Sequence, residues 1–256
     1  MMIGLWAGCT ARIRVPEVKK SAEDILSYLN ISFEEVDEDL CCGAPLEVLG
    51  FIDDFKKNLN KVKRILSSEK YEYIITLCPE CLYVFKRYLP HIISEKILHI
   101  SDYLAKYTDI LFNKAFAKSS VSVYYHEPCA LVRKLQYDST KKILEKIPGL
   151  KVVNSLLSGK YSTCCGAGGG VFIYAPDIAI EAASEKIETE IIPSSTDYLI
   201  VSCPVCYMIF KYAITLKGYN IKLVYLTQLM QKVVRGVGFE PTPAYATGYP
   251  REREGS

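Results

Sequence analysis

The sequence predicts two tandem α/β domains, each a small, mostly parallel sheet flanked by helices. Three observations carry that prediction. Ten cysteines fall into two copies of one pattern. The first copy is Cys9, Cys41-Cys42-Gly43 and Cys78-Pro79-Glu80-Cys81, with 31, 35 and 2 intervening residues. The second is Cys129, Cys164-Cys165-Gly166 and Cys203-Pro204-Val205-Cys206, with 34, 37 and 2. The likeness extends past cysteine: YEYIITLCPECLYVFK (71–86) aligns with TDYLIVSCPVCYMIFK (196–211), and KILHISDYL (96–104) with KLVYLTQLM (222–230). An offset of 120 to 126 residues throughout marks duplication of a whole domain, not a short solenoid repeat. Finally, short apolar runs alternate with amphipathic stretches, the order of a parallel sheet with helical crossovers.

The elements follow in order. Ile3–Ala7, Phe33–Val36, Tyr73–Leu77 and Ile97–Ile100 are short apolar or alternating runs that suit strands. Pro16 to Leu29 reads as a helix, with Val18, Ala22, Ile25, Leu26 and Leu29 on one face and Pro16 at a tolerated first position. Phe51, Phe55, Leu59, Val62 and Leu66 make a second apolar stripe. In the second copy Pro148-Gly149 stops one helix and Pro176-Asp177 opens the next. The expected domains are residues 1–115 and 119–234, with the boundary between Ala115 and Ser120. Residues 235–256 are rich in Gly, Pro, Thr and charge without an apolar period, and read as a disordered tail.

Composition removes several function classes. Half of the 256 residues are apolar, enough for a sizeable core, and the formal net charge is only +2. Lys and Arg are scattered among Asp and Glu, so no basic stripe argues for nucleic acid. The start MMIGLWAGC lacks the basic region and small-residue cleavage site of a signal peptide, and no apolar run is long enough to span a bilayer. The expected location is therefore cytoplasmic, where this many cysteines point to metal rather than to disulfides.

Thiolates are soft ligands that suit iron–sulfur clusters, zinc and copper(I). Five per set is one more than tetrahedral zinc or an ordinary cubane cluster uses, which suggests a centre needing five sulfurs. The CPxC word places two sulfurs one turn apart at a helix start, which lowers thiol pKa. Adjacent cysteines direct two side chains apart from one loop. Gly43 and Gly166 would allow close backbone approach and N–H donation to inorganic sulfide. Zinc in one site, using four of five thiols, remains an alternative, as does a zinc-stabilised structural module. A thioredoxin-like pair at CPEC or CPVC would leave the other cysteines unused. The Gly168–Gly170 run is no phosphate loop, since neither GxGxxG nor GKS/T is present.

These words, with GCTARIRVPE around Cys9, HEPC before Cys129 and CCGAGGG at Cys164, resemble the CCG cysteine-rich domain found in the B-type subunit of heterodisulfide reductase. They also resemble the homologous half of the membrane-linked heterodisulfide reductase and the iron–sulfur subunits of glycolate and lactate oxidases. The resemblance covers roughly residues 2 to 232. It implies two CCG domains related by a pseudo-two-fold. It also implies two non-cubane 4Fe-4S clusters held by Cys9, Cys41, Cys42, Cys78 and Cys81 and by Cys129, Cys164, Cys165, Cys203 and Cys206. The implied activity is reduction of a small-molecule disulfide to two thiols. No ferredoxin, flavin or nicotinamide fingerprint is present, so electrons would come from a ferredoxin-like iron–sulfur subunit, with a flavoprotein behind it. Any membrane contact would run through such a partner. An electron-transfer subunit of a glycolate or lactate oxidase, or of a succinate dehydrogenase, is the alternative. His126 and Glu127, just before Cys129, are candidate proton donors or partners of the cluster, or else ordinary loop residues. His91 and His99 carry no motif.

Overall fold

The computed structural model describes residues 2–36, 38–112, 121–153, 155 and 157–236. The expected link between Ala115 and Ser120, and the expected tail beyond residue 236, lie outside them. The first half contains strands β1 (Met2–Trp6), β2 (Phe33–Glu35), β3 (Tyr71–Thr76) and β4 (Ile97–His99). Between and after them run α1 (Cys9–Ile13), α2 (Pro16–Tyr28), α3 (Ala44–Val48), α4 (Ile52–Leu66), α5 (Pro79–Tyr88), α6 (His91–Ser94), α7 (Ile100–Leu104) and α8 (Thr108–Phe112). The second half has β5 (Val121–His126), β6 (Leu150–Val153), β7 (Tyr198–Val201) and β8 (Lys222–Tyr225). Its helices are α9 (Ser139–Lys146), α10 (Val171–Tyr174), α11 (Pro176–Lys186), α12 (Pro204–Lys217) and α13 (Leu226–Val234).

Both sheets are wholly parallel, with the same strand order: β2-β1-β3-β4 and β6-β5-β7-β8. The central strands explain this. All four residues of β7 are buried, as are Ile74 to Thr76 of β3, so both faces need covering by helices. Helix α2 begins at Pro16 and buries Val18, Ala22, Ile25 and Leu26, the face that the spacing predicts. Helix α4 buries Phe55, Val62 and Leu66, whereas Phe51 sits at its N-cap and is exposed. In each sheet the chain leaves the first strand for one edge and later returns on its other side. That reversal is where parallel sheets place their ligands, beyond the carboxyl ends of the strands.

The two halves share one apolar cluster, which runs from Leu5, Val18 and Ile25 to Leu199, Phe210 and Leu229. The sharing is reciprocal. Helix α13, after the last strand of the second half, packs on α2 of the first; α7, after the last strand of the first, packs on α9 of the second. Polar contacts fix the first of these seams: the Ser21 and Thr227 hydroxyls meet at 2.5 Å, and Gln231 Nε2 donates to Asp24 at 2.7 Å. A second cluster lies within the first half and packs Trp6, Phe55, Leu82 and Phe85 behind three of its cysteines.

Ile25 is fully buried in the shared cluster. Ile25→Ala is expected to destabilise the protein by about 2–5 kcal/mol, the range for a large-to-small change in a packed core. Urea denaturation followed by tyrosine fluorescence measures this, and a loss below about 1 kcal/mol would show that the seam between the halves is loosely packed.

Candidate metal centre

All ten cysteine thiols line a single cavity of about 200 Å³. Cys42, Cys78, Cys81, Cys165, Cys203 and Cys206 are buried; Cys9, Cys41 and Cys129 are half-buried and Cys164 is exposed. Their addresses follow from the topology. Cys9 and Cys129 lie just past the ends of β1 and β5, and Cys78 and Cys203 just past β3 and β7. These are the paired central strands of each sheet, so their carboxyl ends are neighbours. The Cys-Cys pairs come from the loops that follow β2 and β6.

Local chemistry holds each loop. Cys78 and Cys203 are extended N-cap residues of α5 and α12, and the prolines after them take the first helical position, where no N–H is needed. Cys81 and Cys206 then sit within the first turn, over the positive end of the helix dipole. At the Cys-Cys turns, Gly43 and Gly166 each take a φ of +87°. Their N–H groups donate to the sulfurs of Cys41 and Cys164 at 3.5 and 3.4 Å. Neither glycine lines the cavity. A Cβ on Gly43 would meet Asn58 at 2.9 Å and Phe55 at 3.0 Å; on Gly166 it would meet Ala182 at 2.7 Å and the Ala179 carbonyl at 2.9 Å. The glycines thus let the turns lie flat on α4 and α11. Asn58 of α4 adds a bond to the Cys41 carbonyl at 2.8 Å.

The two CPxC turns are tied to each other. The ring of His99 approaches the carbonyls of Leu77 and Ser202 through Nε2, at 3.3 and 3.1 Å. Its Nδ1 accepts from the Ser101 N–H at 3.3 Å, so Nε2 carries the proton and donates to both carbonyls. The Tyr225 hydroxyl approaches the same two oxygens, at 2.8 and 3.4 Å. His99 and Tyr225 occupy one column of the internal repeat, 126 residues apart. Leu77 and Ser202 immediately precede Cys78 and Cys203. As a result Cys78 and Cys203, one from each half, line the same cavity and bear on each other's ionisation. Spacing and motif gave no sign of this clamp; the only signal was that shared column.

Electrostatics make the thiol sets demanding. Cys9 and Cys41 sulfurs lie 3.7 Å apart. Hydrogen bonds from Cys41 and then Cys81 hold Cys42 down at about 6. Cys164 is likewise lowered, first by a hydrogen bond from Cys129. Cys78 is lowered first by its bond from Cys203. Their neighbours rise in consequence, Cys41 to about 11 and Cys165 to about 12, each first through its hydrogen bond to the adjacent cysteine. Five clustered thiols cannot all ionise unless a cation sits among them. Closely spaced, soft sulfur donors in an apolar-walled cavity fit iron–sulfur chemistry.

His126 and Glu127 part company. His126 is buried, one of its ring nitrogens and the sulfurs of Cys165 and Cys206 lie within 4.8 Å of one another, and it stands edge-on to Phe210. Burial pushes its pKa down to about 3, with the Lys186 ammonium adding to the effect, so the ring is neutral. Neither residue is in the cavity lining; Glu127 accepts from the Gly159 N–H at 2.7 Å and the Ser158 hydroxyl at 3.2 Å, anchoring the approach to Cys164. Gly168 to Gly170 do line the cavity. His91 is exposed at the start of α6.

A duplicated parallel α/β scaffold presenting two five-thiol sets to one cavity defines a cysteine-rich, iron–sulfur class of protein. The chain belongs to the CCG cysteine-rich domain family, which matches residues 3–86 and again 123–211. A subunit of the fumarate reductase (CoM/CoB) of Methanothermobacter marburgensis is 31% identical over 234 residues, 89% of this chain and 45% of that protein. A subunit of the dihydromethanophenazine:CoB–CoM heterodisulfide reductase of Methanosarcina mazei is 28% identical over 213 residues, 78% of this chain and 51% of that protein. Lactate utilization protein A of an Exiguobacterium species is 22% identical, covering 91% of this chain and 98% of that protein. The chain thus spans about half the length of the first curated relatives it matches. No helix among the described residues is long and apolar enough to cross a membrane.

Substitutions at two features, the Cys-Cys turn and the clamp, test the scaffold of the site. Gly166→Ala is expected to cost at least about 1–3 kcal/mol through backbone strain, with the overlap on α11 added, whereas Gly168→Ala meets open space and should cost under about 0.5 kcal/mol. Tyr225→Phe removes one of the two donors that tie Leu77 to Ser202 and is expected to cost about 1–3 kcal/mol. Denaturation midpoints under anaerobic, reducing conditions measure both.

Proposed function

We propose that the chain is the disulfide-handling iron–sulfur subunit of a heterodisulfide-reductase-like complex and carries two non-cubane 4Fe-4S clusters. One is assigned to Cys9, Cys41, Cys42, Cys78 and Cys81 in the first domain (1–115). The other is assigned to Cys129, Cys164, Cys165, Cys203 and Cys206 in the second (119–234). The single observation that carries this is the meeting of both complete sets on one cavity. A disulfide has two sulfurs to receive electrons, and two centres facing one cavity suit it better than two remote ones. The net change is cleavage of one S–S bond with uptake of two electrons and two protons, releasing two thiols. When bound, the clusters would supply one-electron steps and iron that accepts sulfur ligands.

The chain's own residues shape the cavity. Phe172 and Met208 wall it with apolar surface, the solvent-exposed Val48 and Ile173 line its edge, and Cys9, Cys41, Cys129 and Cys164 stand on the less buried side. Among the described residues Glu80 is the one carboxylate in the lining; burial raises its pKa, and Lys134 of the second half pairs with it at 2.7 Å. Electrons would enter from a ferredoxin-like iron–sulfur subunit, itself fed by a flavoprotein. A second reading, the electron-transfer subunit of a lactate or glycolate oxidase, draws on the near full-length match to Lactate utilization protein A.

The test begins with iron and sulfide content of anaerobically prepared protein, expected near eight of each per chain for two four-iron clusters. Cys206→Ser is expected to halve both, leaving the first set loaded. Turnover of a small disulfide with reduced viologen, and none with NADH alone, would support the reductase. Full clusters without disulfide turnover would favour the electron-transfer reading, and stoichiometric zinc without iron would overturn both.

A further inference from the structure

Each half carries a buried ring nitrogen that the polypeptide leaves without a partner. Trp6 ends β1 and His126 ends β5. The 120-residue offset that carries Cys9 onto Cys129 carries Trp6 onto His126. Their strand registers agree: Trp6 lies beside Thr76 on β3, and His126 beside Val201 on β7. Their packing agrees as well. Trp6 stands at 84° to Phe85 and His126 at 79° to Phe210, each with ring centroids 4.9 Å apart, and the two phenylalanines are themselves repeat equivalents. Both rings are shut from solvent, at 0% and 1% exposure. Yet Trp6 Nε1 and both nitrogens of His126 have no hydrogen-bond partner among the described residues.

A buried N–H without an acceptor costs about 1–3 kcal/mol. Two such groups at one repeat position are the mark of an acceptor that is not part of the polypeptide. The neighbours indicate where it lies. His126 is beside the sulfurs of Cys165 and Cys206. Trp6 packs in the cluster that contains Cys42 and Cys81, the repeat equivalents of those two cysteines.

Resting on the cluster assignment above, we propose that Trp6 and His126 are positioning residues whose ring N–H groups donate to sulfur of the iron–sulfur cluster in their own half. Such a bond stabilises the more negative, reduced cluster and raises its potential. The two donors differ. Indole offers one N–H and no acceptor, whereas neutral imidazole offers one N–H and one acceptor nitrogen. The half-sites are therefore electronically distinct despite matching cysteines, and they fill with electrons in a fixed order.

The experiment is an EPR-monitored redox titration of the full chain, loaded anaerobically, with iron counted in each sample. Two separate midpoints are expected for the unmodified protein. Trp6→Phe should move one midpoint to more negative potential and leave the other in place; His126→Phe should do the converse. His126→Gln and Trp6→His, which keep an N–H donor, should restore most of each shift. Unmoved midpoints at full iron content, or both moving together in either variant, would overturn the proposal. Should a phenylalanine variant fail to retain iron, pulsed EPR of unmodified protein loaded in D2O decides the matter. A weakly coupled exchangeable deuteron at both clusters is expected, and its absence, or the strong nitrogen coupling of an Fe–N bond, overturns the donor role. Absence of iron from the unmodified protein would instead defeat the cluster assignment itself.

Discussion

The arrangement of the site depends on the contact between the two CPxC turns. Each turn alone would be an ordinary strand-to-helix junction. The His99 ring and the Tyr225 hydroxyl bind both carbonyls that precede Cys78 and Cys203, so neither turn can shift without breaking bonds to the other. All these groups are buried, where an orphaned carbonyl is costly. The shared apolar core supplies the bulk of the cohesion between halves, but it is non-directional. The clamp supplies the direction. It brings together thiols 125 residues apart and makes two five-sulfur sets into one cavity.

That arrangement has an electrostatic consequence. Buried thiols in mutual contact lower one member of a group only by raising the others, as Cys42 at about 6 and Cys41 near 11 illustrate. Six of the ten thiols are buried, so water cannot spread the charge. The protein is thus built for a state in which cations hold the sulfurs, and the folded scaffold and the bound centres stabilise each other. The glycines of the Cys-Cys turns serve this end indirectly. By lying flat on α4 and α11 they fix the direction in which each sulfur pair projects.

Much of this was legible in the sequence. The strands appear within a residue or two of the apolar runs, because strands buried on both faces must read as apolar. Cysteine addresses followed from placing each motif after a strand. The expected helical stripe from Phe51 to Leu66 holds except at Phe51, which caps the helix and is solvent-facing. Other features were hidden for physical reasons. His99 and Leu77 are 22 residues apart and Tyr225 and Leu77 are 148 apart, and no local pattern tells a side chain to seek a distant carbonyl. Glu127 and His126 are adjacent but point to different places, since successive side chains at a strand end face opposite sides. Trp6 reads as plain core, and only its unpartnered nitrogen distinguishes it.

Duplication has kept the skeleton and changed the walls. Glu80 in one CPxC turn corresponds to Val205 in the other, and three successive glycines, Gly168 to Gly170, have no counterpart run after Gly43. The second half also buries a lysine: Lys186, bonded to Thr163 and to Glu190 at 2.8 Å, is close enough to His126 to lower its pKa. Unequal walls around equal thiol sets make the two half-sites chemically distinct, and the asymmetry is concentrated where the two sets meet solvent and their buried ring neighbours.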